Sequence, residues 1–292
     1  MKTQVSHAAN PSSFSLPESA LYVSGRPSEN LVLVYDNNQA VTAEAYAKWS
    51  TDWFYELPLY VRAGRFWVPY GLQIDDISQA AATASYVKGL GFAPNVGFAM
   101  TNTASDTGVE VGLEPKKGYF ANFSVTNGIP SGGAAQNEAK AWTLRLGFIT
   151  KHLALGVSGF RNHPLGAGFN EERRAGFFGW TSWWRFALLG EWGIGRDQPN
   201  TPSGSARPAK LQRRAGLLEL DYEILPDVLL GKFRYDFGNP NTGSSANARR
   251  RYSVGVEWFA TQNSSVEAQW RRLTEPLDVK NNQGVLAAHV WF

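Results

Sequence analysis

The sequence predicts an all-β chain: a transmembrane antiparallel up-and-down β-barrel of about fourteen strands, within a range of roughly twelve to sixteen. Three observations predict it. Short segments that alternate apolar and polar residues recur along the chain, with Gly, Pro, Asn and Asp between them. From Glu114 onward the connections alternate between short and long, as periplasmic turns and external loops do in such barrels. Trp, Tyr and Phe stand at both ends of the apolar faces, where an amphipathic ring rests between lipid and water. Periodicity alone fits a soluble β-sandwich equally well. The placement of the aromatic residues favours the barrel.

Composition agrees. The chain has 292 residues, 43% hydrophobic and only 18% charged, with 11 Trp. Mean hydropathy is −0.29. No run approaches the roughly 18 apolar residues that a membrane-spanning helix needs. A barrel tolerates low mean hydropathy, because only alternate residues face lipid. Cysteine is absent, which removes disulfides, thiolate metal sites and a thiol nucleophile. The net charge of +3 is too mild to point to nucleic acid, and no such partner is expected.

In chain order, residues 1–29 are polar and rich in Ser, Pro and Asn, and read as a periplasmic tail or partial plug, with the barrel at 30–292. Met1–Asn10 has no apolar core of signal-peptide kind. The chain is therefore read as a mature or truncated form whose export signal is missing. The candidate strands begin with Leu31–Asp36, Val41–Ser50, Leu59–Val68, Thr107–Leu113, Tyr119–Thr126, Lys140–Ile149 and Leu153–Arg161. They continue with Arg174–Trp180, Trp184–Gly195, Leu211–Tyr222, Val228–Phe237, Arg251–Ala260, Val266–Arg272 and Gly284–Phe292. Leu31–Asp36 is short, and Ala20 is the earliest start for a first strand. The short connections are Glu114–Lys117, Thr150–His152, Thr181–Trp183, Ile224–Asp227 and Gln262–Ser265. Asn127–Glu138, Asn162–Glu172, Asp197–Ala209, Asn239–Ala248 and Thr274–Gln283 are the long ones. An even strand count would bring both termini to the periplasmic side.

Strand alternation assigns the faces. Leu229, Gly231, Phe233, Tyr235 and Phe237 point one way, and Leu230, Lys232, Arg234 and Asp236 the other. Extended to every strand, this register projects Glu44, Lys48, Arg62, Glu110, Arg145, Arg185, Glu191, Arg213 and Glu219 into the lumen. Asp221, Lys232, Arg234, Asp236, Arg251, Glu257, Glu267 and Arg271 join them. Such a set lines a hydrated interior, either as a transverse field that steers small polar solutes or as ion pairs that satisfy a polar wall. Basic pairs at strand ends, Arg173-Arg174, Arg213-Arg214, Arg249-Arg250-Arg251 and Arg271-Arg272, form a basic ring on the external side together with Arg161, Lys140 and Arg196. Three readings of that ring stand open: contact with lipopolysaccharide phosphates, an anion-attracting mouth, or arginine stems reaching to the interface. The longest connection, Pro69–Asp106, carries Asp75 and Asp76 and an Ser78–Ser85 run of helical composition. It is expected to narrow the mouth, with an exposed surface loop as the alternative.

Enzyme chemistry is not expected, and an outer-membrane enzyme with its groups on the rim or the outer wall is the least favoured reading. His7, His152, His163 and His289 lack metal-ligand spacing, and no phosphate-cradling Gly loop follows a strand. Neither a metal nor a cofactor is implied.

The stretch Leu59-Tyr-Val-Arg-Ala-Gly-Arg-Phe-Trp-Val-Pro-Tyr-Gly-Leu72 resembles the G-[RQ]-F-x-x-P-[FY]-G segment of the phosphate-selective porin O/P family, through Gly64, Arg65, Phe66, Pro69, Tyr70 and Gly71. Gly108–Gly112 followed by Phe123–Gly128 resembles the next hairpin of that family. The resemblance implies a passive diffusion channel in the bacterial outer membrane, in contact with outer-membrane lipid and lipopolysaccharide. The chain departs from the family in its smaller size and in having no lysine cluster in the external loops. Similar barrels also serve as sheaths around multihaem cytochromes, so a periplasmic or lumenal cytochrome is the alternative partner. The final strand ends on Phe292, and in such proteins a terminal aromatic is read by the barrel-assembly machinery. Deleting Phe292 is therefore expected to lower the yield of folded barrel more than the conductance of the barrel that does form. Heat-modifiable gel mobility and single-channel recording check the two readouts.

Overall fold

The computed structural model describes residues 20–38, 41–54, 57–72, 105–115, 117–128, 140–163, 169–199, 209–239, 241–243, 248–274 and 280–290. They form one antiparallel sheet of 15 strands in simple sequence order. The first half is β1 (Ala20–Ser28), β2 (Leu31–Asn38), β3 (Val41–Phe54), β4 (Leu57–Trp67), β5 (Ser105–Leu113), β6 (Gly118–Thr126), β7 (Ala141–Ile149) and β8 (Leu153–Asn162). The second is β9 (Phe169–Trp183), β10 (Phe186–Pro199), β11 (Leu211–Leu225), β12 (Leu229–Asn239), β13 (Arg249–Thr261), β14 (Ser264–Thr274) and β15 (Lys280–Val290). Each strand pairs with its sequence neighbours, so the topology is up-and-down throughout. Among the described residues no helix is long and apolar enough to cross a membrane.

Two boundaries differ from the sequence reading. Ala20–Ser28 is a strand paired with β2, so the segment read as tail reaches at most to residue 19. This adds one strand to the expected fourteen, and β1 and β15 consequently run the same way. The turn between β9 and β10 is Trp184–Arg185 and not Thr181–Trp183. Trp184 has φ 54°, a left-handed conformation that ends β9 in a tight reversal. The turn at Thr150–His152 lies where the spacing puts it, whereas those expected at Ile224–Asp227 and Gln262–Ser265 are Pro226–Val228 and Gln262–Asn263.

Register divides every strand into two faces. On the outer face Val109, Val111, Leu155, Val157, Phe177, Leu218, Phe233, Val254 and Val256 are exposed, although apolar. So much apolar surface open to water would drive association, whereas lipid covers it at no cost. Aromatic residues crowd both borders of this band. Towards the short turns, Tyr119 meets Phe148 at 5.3 Å and Phe186 meets Tyr222 at 4.6 Å. Towards the long connections, Trp192 stacks on Phe237 at 5.5 Å and Tyr235 meets Tyr252 at 5.0 Å. The inner face is the buried one, and it is mainly polar: Glu110, Asn122, Ser124, Thr143, Asp197 and Asp236 are fully enclosed. Polar inside and apolar outside inverts the order of a water-soluble sandwich.

Gly64 shows why one residue of the G-R-F-x-x-P-Y-G segment is fixed. Its φ is +132°, and a Cβ there would stand 2.3 Å from the Ala45 carbonyl oxygen of the paired strand. Any side chain would part β3 from β4. Gly64→Ala should destabilise the folded barrel by about 1–3 kcal/mol, read as a lower urea midpoint for loss of heat-modifiable mobility. Gly284→Ala, where a Cβ meets nothing within 4 Å, should leave the midpoint unchanged.

Candidate functional site: a charge-paired lumen and its inward segment

The inner wall over β9–β14 is a net of ion pairs. Asp197 accepts from Arg174, with the second contact at 3.2 Å, and pairs with Arg213 at 2.6 Å. Asp236 accepts from Arg234 Nε at 2.8 Å and from Arg251 Nε at 3.0 Å. Arg234 also donates to Glu219 at 3.1 Å. Lys232 donates to Glu257 and lies 3.9 Å from Glu267, with Asp221 as its cross-strand neighbour. Ser265 donates to Glu257 at 2.8 Å, and Arg271 donates to Gln269 at 2.9 Å. A charge taken out of water needs a partner and hydrogen bonds to persist. Strand pairing supplies both where it sets opposite charges side by side, as with Arg234 and Glu219 or Asp236 and Arg251.

A second cluster lies on β3–β6. Arg62 pairs with Glu110 at 2.8 Å, and Tyr60 donates to the same carboxylate. Asn122 donates to Tyr60 Oη at 2.8 Å. Lys48 pairs with Glu114 at 3.3 Å and sits 4.1 Å above the Tyr60 ring. Glu44 accepts from the Trp67 backbone N–H at 3.2 Å.

After β4 the chain turns into the lumen. Val68, Pro69, Tyr70, Gly71 and Leu72 are all buried. The Gly71 N–H donates to Ser158 Oγ at 2.8 Å, and the Leu72 N–H donates to Glu191 Oε2 at 3.0 Å. Arg145 Nε donates to the Gly71 carbonyl at 2.9 Å and Nη1 to Asn122 Oδ1 at 3.2 Å. The guanidinium also lies over the Phe120 ring at 4.6 Å and the Phe178 ring at 4.8 Å. Those rings fit because their strand neighbours are glycines. A Cβ on Gly147 would meet Phe120 at 2.3 Å, and one on Gly156 would meet Phe178 at 2.3 Å. Leu72 completes the apolar patch, packed with Phe120 and Phe178 beside Ile149, Trp180, Leu189 and Leu217. The segment therefore rests on the wall of β6–β10 through three backbone hydrogen bonds and one apolar foot. With Gly71 at φ +69°, facing the Glu191 carboxylate at 2.3 Å from an added Cβ, a bulkier residue has no room.

Of the residues expected in the lumen, all except Arg185 lie on inward register positions. Arg185 belongs to the Trp184–Arg185 turn, where it donates to the Ile224 carbonyl at 3.5 Å and covers the Trp184 ring at 5.5 Å. The displaced turn removes it from the wall. Asp75, Asp76 and Phe292 lie outside the described residues. Several wall residues escape the sequence reading. Asp36, Asn122, Ser158, Arg174 and Asp197 are buried inward. Asn122 and Ser158 carry no charge to mark them. Asp197 lies past the end expected for its strand, and continuing the alternation from Glu191 through Gly193 and Gly195 would have reached it.

No family model and no curated relative matches the sequence. Solved structures do. An anion-selective porin from Comamonas acidovorans aligns with TM-score 0.64 at 10% identity, over 93% of this chain and 88% of that one. OmpT of Vibrio cholerae aligns with TM-score 0.63 at 13% identity, over 92% and 87%. The outer membrane channel DcaP of Acinetobacter baumannii gives TM-score 0.58 at 10% identity, over 93% and 84%. The fold is that of the outer-membrane β-barrel.

The bridging role of Asp236 is directly testable. Asp236→Asn leaves two buried guanidiniums without their shared anion, and the expected cost is about 3–5 kcal/mol. Asp221→Asn, at a position with no salt bridge to it among the described residues, should cost much less. Urea titration of the two refolded variants checks the difference.

Proposed function

We propose that this chain is a bacterial outer-membrane porin, a passive channel for small hydrophilic solutes and ions, narrowed by the inward segment Val68–Leu72. One observation carries the reading. A polar, charge-paired inner face and an apolar outer face share the same strands, and a chain segment is seated against the inner one. A wall of that kind is hydrated, and its fixed dipoles replace part of an ion's water shell during passage. The bound cations argue for weak selectivity. Arg174, Arg213, Arg234 and Arg251 are each held by a carboxylate, which leaves little net field for one sign of solute. Phosphate selectivity, which the resemblance of Leu59–Leu72 implies for its family, therefore has less support than general diffusion. The inward segment also weighs against a cytochrome sheath, since Val68–Leu72 takes up wall that a lumenal partner would need.

Purified protein should give stepwise conductance in planar bilayers. Silence at every voltage would contradict the channel, and haem absorbance in the purified barrel would favour the sheath. Ser158→Ala combined with Glu191→Ala removes two anchors of the inward segment. Each anchor is a hydrogen bond of about 1 kcal/mol, more where the acceptor is charged. The double variant should show higher open-channel noise and a larger mean conductance than the parent.

A further inference from the structure

The basic pairs at the strand ends are divided by the sheet. Arg174, Arg213, Arg251 and Arg271 point into the lumen and are buried. Their sequence neighbours Arg173, Arg214, Arg250 and Arg272 point outward and are exposed. Arg161, Arg173 and Arg196 are successive cross-strand partners on β8, β9 and β10, on the outward face. Arg214 then pairs opposite Ile194, Arg250 opposite Phe237 and Arg272 opposite Tyr252. Each lies lower on the pairing ladder than the arginine before it, as a level line must on strands that tilt against the barrel axis. The arginines therefore form a line at one height on the outer surface. Below it on the outer face, one or two outward positions along each strand, come Phe177, Ile194, Leu218, Val254 and Trp270. Glu171 is the one carboxylate on the line among the described residues, and it pairs with Arg161 at 2.9 Å and Arg173 at 2.7 Å. Among the described residues Arg196, Arg214, Arg250 and Arg272 make no salt bridge.

We propose that this outward arginine line binds the phosphate groups of lipopolysaccharide in the outer leaflet. The chemistry is specific on three counts. Guanidinium forks match phosphate oxygens with paired hydrogen bonds. The line borders the apolar band on the side of the long connections, at the depth where headgroup phosphates lie. Its charge is almost wholly of one sign, whereas arms merely reaching to water need no such alignment across β8–β11, β13 and β14. Of the inward halves, Arg174 and Arg213 are taken by Asp197, Arg251 by Asp236, and Arg271 donates to Gln269, so they belong to the lumen and not to this surface. The inference rests on the outer-membrane barrel, not on conduction.

The test uses the full chain refolded in detergent, with binding of lipopolysaccharide compared with the same glycolipid stripped of phosphate. The triple variant Arg173→Gln, Arg196→Gln, Arg214→Gln should bind the phosphorylated form about a hundredfold more weakly, and the parent's binding should weaken steeply with salt. Heat-modifiable mobility and single-channel conductance of the variant should match the parent, because all three side chains face away from the lumen. Inorganic phosphate at the same concentration should not displace the glycolipid. Equal binding of the stripped glycolipid, unchanged affinity of the variant, or displacement by inorganic phosphate would each overturn the proposal. A barrel that binds as expected but never conducts would refute the channel and leave the arginine line standing.

Discussion

Backbone hydrogen bonding governs this structure. In a hydrocarbon surround each unpaired N–H or C=O costs several kcal/mol. A sheet meets that demand only by pairing strand to strand without interruption. From β1 to β15 the strands pair in sequence order, each beside its chain neighbours. Once the ladder is fixed, side chains have only two directions, and the period of two sorts lipid from lumen. A slip of one residue in any strand would exchange the two faces. The inner ion pairs oppose such a slip, because Arg234 meets Glu219 on β11 and Asp236 meets Arg251 on β13 only in this register.

The inner wall then solves a packing problem. Polar side chains in a narrow lumen must be bound to one another, or they collapse in competing ways. Here carboxylates serve as shared acceptors: Asp197 for Arg174 and Arg213, and Asp236 for Arg234 and Arg251. On the other wall, aromatic rings lie flat over glycines of the next strand, Phe120 over Gly147 and Phe178 over Gly156. That flat bed lets Arg145 stack on both rings while donating to the Gly71 carbonyl. The inward segment is thus part of the wall it rests on, and its position follows from residues on five different strands.

Much of this is legible in the sequence, because alternation is a local signal. Lys232, Arg234 and Asp236 declare their face within a single strand. The same rule fails where locality fails. Ala20–Ser28 contains Gly25-Arg26-Pro27, which has the composition of a turn, and only pairing with β2 makes it a strand. Trp184 reads as the start of a strand because it is aromatic, yet it takes the left-handed turn conformation and carries Arg185 off the wall with it. The docking of Gly71 on Ser158 and of Leu72 on Glu191 joins residues far apart in the chain, which no local pattern encodes. The Arg-Arg pairs are visible as pairs, but which member faces lipid depends on register.

The central claim is that each strand has one face in lipid and one in a hydrated lumen. The absence of cysteine makes single-site labelling clean. Nitroxide probes placed in turn from Tyr252 to Trp258 on β13, in reconstituted vesicles, report collisions with oxygen and with a water-soluble nickel chelate. The account predicts alternation: oxygen dominates at positions 252, 254, 256 and 258, and nickel at 253, 255 and 257. Uniform access along the strand, or the opposite phase with nickel dominant at Val254 and Val256, would contradict it.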